Sequence, residues 1–311
     1  MTESHHQHSA TLRLAVVPDT QIMTKKHPEL LAGIADWITA RSDQLDAVLH
    51  VGDVVHDGSA DVAQLQRGRA WVEQVAGTGL PVFVAPGNHD DDRMLGGPER
   101  SLSAFARHLL PSGLASRPWW GGAYGTSVTD RAGNYYGWVG RGEHRILVLV
   151  LEFGPRAGAV EWAKNILSQY PSADAIICTH VFLDGDGGRT RPGSPFHPRD
   201  YPANPDGYDG EDLWAALQDV PNLRVIVSGH QLPPCTSYRV DRAPDGHPVI
   251  ATYQNWQHEP HGGGGRIRLL EWDRGRDNVR LSVVNTATGE MEHEPGHDVE
   301  IDLAAVPETV F

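Results

Sequence analysis

The chain alternates short apolar runs with longer segments whose apolar residues recur every three or four positions. Nine runs read as strands: 12–18 (LRLAVVP), 46–52 (DAVLHVG), 81–87 (PVFVAPG), 145–153 (RILVLVLEF), 173–180 (ADAIICTH), 223–230 (LRVIVSGH), 247–253 (HPVIATY), 265–272 (GRIRLLEW) and 278–285 (NVRLSVVN). Several are continuously apolar rather than alternating, the pattern of strands covered on both faces. Between them, Pro28 to Arg41 sets Leu30, Leu31, Ile34, Trp37 and Ile38 on one helical face. Asp61 stands where it can cap a helix carrying Leu65, Trp71, Val72 and Val75, and 157–170 and 210–217 have the same character. Strand alternating with helix predicts an α/β layered fold. The strand-rich last third predicts a second sheet packed against the first. No internal repeat or linker divides the chain, so 11–311 reads as one domain behind a disordered tail, 1–10. The irregular stretch 181–209 is long enough to be either functional or disordered.

Composition narrows the function classes. An apolar share of 40% in 311 residues allows a sizeable core. A net charge of -14 argues against nucleic acid or an anionic membrane as partner, since both require a basic surface. A small phosphorylated substrate stays open, because metal ions can supply local positive charge. Two cysteines, Cys178 and Cys235, encode no disulfide framework, and a reducing cytoplasm is the simplest setting. The N-terminus has no apolar stretch of the kind a secretory signal needs, and the longest apolar run, from Ile146, is too short to span a bilayer. The tail histidines His5, His6 and His8 inflate the histidine count without forming a site.

Polar chemistry gathers at strand ends. Five strand candidates finish in metal-type donors: Asp19-Thr20-Gln21, Gly52-Asp53-Val54-Val55-His56, Gly87-Asn88-His89-Asp90, Thr179-His180 and Gly229-His230-Gln231. In open α/β sheets ligands bind outside the carboxyl ends of the strands, so these distant clusters are expected to converge on one crevice. The 34 residues from Asp19 to Asp53 and the 35 from Asp53 to Asn88 each suit a helix and a return strand.

In order, D-x-Q, G-D-x-x-H, G-N-H-D, T-H and G-H resemble the calcineurin-like metallophosphoesterases, in the branch whose first motif is D-T-Q. The resemblance runs from Asp19 to His230, and the trailing ATYQNWQ…GGGGRIRLLEWD is similar to the end of that branch. It implies a four-layered α/β/β/α sandwich of two packed mixed sheets flanked by helices, with a two-metal site at the strand ends. Asp53 would bridge both ions, Asn88, His180 and His230 would complete one site, and Asp19 with Gln21 the other. His89 would face the substrate as a phosphate-stabilising group or as acid for the leaving oxygen, oriented by a hydrogen bond it donates to Asp90. Mixed oxygen and nitrogen donors suit Mn, Fe, Zn or Co, which would clamp the phosphoryl group and generate a metal-bound hydroxide.

Two imidazoles of the family pattern are missing, and both belong to the Asp19 side: Gln21 replaces one, and Leu232 the other. A carboxamide oxygen is a weaker donor than imidazole, so the Asp19-side ion is expected to be the more exchangeable. Gln21 either ligates or hydrogen-bonds a bound water. His56 could supply a replacement ligand or a contact that holds one, and Gln254, His258 and His261 are weaker candidates for the same task. Arg189 and Arg191, with Arg199 and His197, could grip an anionic substrate from the long loop.

The bland assignments are His50 as a satisfied core histidine, Cys178 as an inert core residue, and Trp119, Trp120 and Tyr124 as packing. Glu152 is either a buried carboxylate behind the site or a strand-end charge reaching solvent. The function that follows is metal-dependent hydrolysis of a small phosphomonoester or phosphodiester. A non-hydrolytic phospho-ligand-binding protein and Fe-dependent redox chemistry are the alternatives.

Overall fold

A computed structural model describes residues 11–140, 145–305 and 309–310; the tail 1–10, with His5, His6 and His8, lies outside them. The first half runs β1 (Thr11–Val17), α1 (Gln21–Lys26), α2 (Pro28–Thr39), β2 (Ala47–His50), α3 (Val62–Ala76), β3 (Val82–Val84), α4 (Ser103–His108), β4 (Trp120–Ala123), α5 (Val128–Gly133), β5 (Tyr135–Val139) and β6 (Ile146–Leu151). There follow α6 (Ala157–Gln169), β7 (Ala175–Thr179), α7 (Gly210–Leu217), β8 (Leu223–Ser228), β9 (Thr236–Arg242), β10 (Pro248–Gln254), β11 (Arg266–Asp273), β12 (Asn278–Asn285), β13 (Glu290–Glu292), β14 (Asp298–Asp302) and β15 (Thr309–Val310).

Local chemistry sets the helix starts. The Asp61 side chain accepts from the backbone N–H groups of Ala63 and Gln64 at the head of α3. At α7, Asp209 and Asp212 form a reciprocal capping box.

Two mixed sheets pack face to face. One has the order β13-β12-β11-β1-β2-β3, with β14 also on β12, and the other β15-β9-β10-β8-β7-β6-β5-β4. The pairs β1–β2, β2–β3, β6–β7, β7–β8 and β8–β10 are parallel, so their carboxyl ends emerge at one end of each sheet. Alternate residues of the second sheet face opposite ways. Val148, Val150, Ile176, Cys178, Val225 and Val227 join a core with Leu14, Val16, Val48 and Ile267 of the first sheet. Leu147, Leu149, Leu151 and Ile177 join a second core with Val160 and Ala163 of α6 and Leu213 and Leu217 of α7. Helices α2 and α3 cover the far side of the first sheet through Ile34, Ile38, Trp71 and Val75. The layers are therefore α/β/β/α, and β6 is buried at all six positions, as its unbroken apolar run requires.

One expectation is corrected. The last third does not form the second sheet by itself: β9 and β10 join the second sheet, whereas β11 pairs antiparallel with β1 and extends the first. Apolar patterning reports that a strand is buried, not which partner it takes.

Candidate metal centre

The strand tips meet as the spacing predicted. Beyond β1, β2, β3, β7 and β8 stand Asp19, Asp53, Asn88, His180 and His230, each 5% exposed or less. Asp53, His180 and His230 each present a ligand atom within 4.8 Å of the others. The approach is close enough to demand glycine. A Cβ at Gly87 would overlap Asp53 Oδ1, and one at Gly229 would overlap Asp19 Oδ1. The chain turns sharply here, with Asp53 at φ 53° and His230 at φ 74°, both in the left-handed region.

Hydrogen bonds fix which atoms remain for an ion. His180 Nδ1 donates to the Val51 carbonyl at 2.7 Å, and its Nε2 has no hydrogen-bond partner among the described residues. Nε2 lies 3.4 Å from Asp53 Oδ2. His230 Nε2 donates to the Phe196 carbonyl at 2.9 Å, leaving Nδ1. Asn88 Oδ1 is also buried without a partner. Orphaned buried polar atoms are costly unless something else satisfies them, and a cation would do so for Asn88 Oδ1 and His180 Nε2, with His230 Nδ1 free to join them. The residues present therefore fit a metal ion.

The electrostatics agree. No lysine or arginine pairs with Asp19 or Asp53 among the described residues. Burial raises Asp19 to about 8, against the pull of His180 and with help from Asp53. Burial would raise Asp53 as well, but His180, His89 and His230 outweigh it and hold it well below the carboxylate range. Burial would lower His180, yet Asp53 and Asp19 push it up to about 9. His230 is lowered to about 3 by burial and by His180. Two carboxylates thus compete for one imidazole's positive charge, a deficit that divalent ions would fill.

Gln21 lies in the site at the start of α1, 2% exposed. Its Nε2 donates to Asp53 Oδ2 at 2.9 Å and to Gln257 Oε1 at 2.5 Å. Its Oε1 accepts from His56 Nδ1 at 2.7 Å. The Gln21 nitrogen thus faces Asp53, and a half-turn of the amide would exchange it for the oxygen a cation needs. His56 stacks on His89, ring centroids 4.8 Å apart, and its carbonyl lies 2.7 Å from His89 Nδ1. His89 is part-exposed, its backbone N–H donating to Asp53 Oδ1.

Asp90 departs from expectation. It does not hold His89; its two oxygens accept from the backbone N–H groups of Val54, Val55 and Gly87 at 2.9–3.1 Å. It ties the loop after β2 to the turn after β3, while the His56 carbonyl takes the orienting role expected of Asp90.

Among the described contacts the loop arginines make none to the cluster. Arg189 pairs with Glu211 at 3.0 Å and Asp241 at 2.7 Å and lies over Trp214, anchoring the long loop. Arg191 is exposed, and its backbone N–H donates to Ser194. Arg199 pairs with Asp212, and His197 with Asp209. What the loop does bring to the site is the Phe196 carbonyl and its half-exposed ring, 6.2 Å from that of His230.

Among the other candidates, Glu152 is buried in ion pairs with Arg100 and Arg156. Gln254 donates to the Ser228 carbonyl, and His258 and His261 are exposed. Trp119 packs on Phe83, Trp120 on Tyr135 and Tyr124 on Trp162. Cys178 is fully buried, and burial pushes its thiol up.

Sequence reasoning missed a sixth tip. Beyond β10, Asn255 Nδ2 donates to Asp19 Oδ2 at 2.9 Å and to the His230 and Gln231 carbonyls, and Gln257 holds Gln21. The signal was present, since VIATYQNWQ ends an apolar strand in carboxamides as the other strands end in donors. Just beyond, His261 to Gly265 all have positive φ, and this left-handed run brings Gly262 against Ile22 and Met23 of α1.

The model of the calcineurin-like phosphoesterase family matches residues 12–234. An uncharacterized protein of Bacillus subtilis (strain 168), YvnB, is 26% identical over 272 residues, 85% of this chain and 19% of YvnB. The chain thus spans about a fifth of that relative's length. Three solved structures share the fold, each matched over 94% of this chain. Purple acid phosphatase PPD1 from yellow lupin (Lupinus luteus) seeds has TM-score 0.52 at 14% identity, over 54% of its own chain. GAP50, the anchor in the inner membrane complex of Plasmodium, has TM-score 0.51 at 13% identity, over 89% of its chain. A dimetal phosphatase from Danio rerio has TM-score 0.50 at 10% identity, over 99% of its chain. Identities this low speak for the fold alone; the family model, matching well over half the chain, makes this protein a member of the calcineurin-like phosphoesterases.

Proposed function

We propose that the chain is a metal-dependent hydrolase of a small phosphomonoester or phosphodiester. The observation that carries this reading is the buried convergence of Asp19, Asp53, Asn88, His180 and His230, with the orphaned Asn88 Oδ1 and His180 Nε2 among them and His89 beside them. Asn88, His180 and His230 would hold one cation, Asp19 with Gln21 the other, and Asp53 both. Cations at this centre supply Lewis acidity toward the phosphoryl group and toward the attacking water.

The chain's own groups do the rest. Asp53 accepts from the His89 backbone and so sets that residue against the centre. With His89 Nδ1–H held on the His56 carbonyl, a proton gained at Nε2 is the one available to a leaving oxygen. The part-exposed His89 and the half-exposed Phe196 ring are the groups a small substrate would meet on reaching the cluster. The acidic composition supports the exclusion of nucleic acid and of anionic membranes as partners. Among the described residues no helix is long and apolar enough to cross a membrane. Both cysteines are free, which supports a cytoplasmic setting as part of this reading.

The test is turnover of aryl phosphate mono- and diesters with added Mn, Fe or Zn, alongside metal analysis. Metal-dependent turnover is expected, and His89→Ala should lower kcat by about 10²–10⁴-fold while metal content stays unchanged. Absence of turnover with every metal would sink the proposal.

A further inference from the structure

The two halves of the centre differ in donor chemistry, and the difference reaches beyond the loss of two histidines. On one side are two imidazoles, His180 and His230, with the Asn88 oxygen. On the other, the groups around Gln21 are Asp53 Oδ2, 2.9 Å from its amide nitrogen, and Gln257 Oε1, 2.5 Å from it. Asp19, two positions before Gln21 in the chain, accepts from Asn255 Nδ2 at 2.9 Å. Asp19, Gln21, Asp53 and Gln257 are each at least nine-tenths buried.

An amide NH2 group placed between a carboxylate and a carbonyl oxygen satisfies converging acceptors, the same office that a cation performs. A half-turn of Gln21 would turn its oxygen toward them and its nitrogen toward His56 Nδ1, which can accept in its other tautomer. The pocket would then present oxygen alone: two carboxylates and two carboxamides.

We infer that this protein assembles a mixed-metal centre, in which Gln257 and Gln21 complete an all-oxygen site on Asp19 and Asp53 for a hard divalent cation such as Mn2+ or Mg2+, while the His180–His230 site takes a softer ion such as Zn2+. Carboxylate and carbonyl donors suit Mg, Ca and Mn, whereas imidazole suits Zn and Fe. Gln257 lies beyond the segment matched by the family model, which ends at residue 234, so this half of the centre is completed by the chain's own later strand. The inference rests on the cluster being a metal centre but not on which ester is cleaved.

Metal-stripped protein is loaded with one equivalent of Zn2+, then titrated with Mn2+ and followed by the loss of the free Mn2+ paramagnetic resonance signal. One firmly held Zn2+ and one exchangeable Mn2+ are expected. Gln257→Ala and Gln21→Ala should each weaken Mn2+ by about tenfold or more. Retained Zn2+ in these variants shows that they remain folded. Gln21→His, which restores an imidazole, should shift the second site to Zn2+ and exclude Mn2+. Two equivalents of tightly held Zn2+ in the unaltered protein, or unchanged Mn2+ binding in Gln257→Ala, would overturn the inference. An inactive protein that still binds Zn2+ and Mn2+ in this pattern would refute the hydrolase reading and leave the mixed-metal centre standing.

Discussion

His50 shows how much a single buried ring decides when both of its nitrogens are committed. Nε2 lies 3.0 Å from Thr20 Oγ1, and Nδ1 accepts from the Gly52 N–H at 3.2 Å, so the neutral form fits and the cation does not. Burial accordingly lowers its pKa to about 3, with His180 contributing. The unfolded chain takes up this proton near pH 6.5, which the fold refuses until about pH 3. Stability from His50 is therefore complete above pH 6.5 and is lost as pH falls through that window, by at most about 1.4 kcal/mol per pH unit. Denaturant midpoints between pH 7.5 and 5 should fall less steeply in His50→Gln, whose amide can both donate and accept; equal slopes would assign the acid sensitivity to other groups. A core role for His50 was legible in the sequence from its phase beside Val51 and Asp53. The role of Asp90 was not, because three backbone N–H groups from two loops leave no mark on a sequence. The same is true of the His56 carbonyl that holds His89, since a backbone oxygen has no residue type to read.

At the scale of elements, the parallel strands place donors at one end, and glycines let the tips close. The expected clusters fell at the tips because an apolar run followed by Gly and a donor is a local pattern. The carboxamides beyond β10 escaped it, because Asn and Gln at a strand end also fit an ordinary turn. The tips respond differently to added bulk. A Cβ at Gly229 would overlap Asp19, which on the proposed reading would serve one ion, whereas a Cβ at Gly87 would overlap Asp53, which would serve both. Gly229→Ala should therefore weaken the Asp19-side ion about tenfold or more and spare the other, while Gly87→Ala weakens both. Metal analysis after desalting separates the two outcomes, and equal losses in the two variants would contradict this division. Sheet membership of the late strands was illegible for another reason. The match between β11 and β1 is a pairing of Leu14 with Leu270 and Ala15 with Leu269, and many apolar strands offer an equivalent match.

For the whole molecule, a metal-filled centre would act as a fastening between layers. Asp19, Asp53 and Asn88 belong to the first sheet's strand tips, and His180 and His230 to the second's. An ion gripping both sets binds the folded chain and not the unfolded one, so it adds stability in proportion to its saturation. At free ion about 100 times Kd the gain is about 2.7 kcal/mol. Thermal unfolding with Zn2+ should lie several degrees above that in a chelator, and coincident midpoints would deny the ion this part. The hydrogen bond from His230 Nε2 to the Phe196 carbonyl extends the fastening outward. On the proposed reading one imidazole would answer to two clients, an ion on its inner nitrogen and the 181–209 segment on its outer one. Thermodynamic reciprocity follows: by whatever factor a docked substrate steadies that segment in the conformation gripping His230, it tightens the ion, and the ion tightens the substrate by the same factor. Affinity for substrate and retention of metal become one measurement seen from two ends.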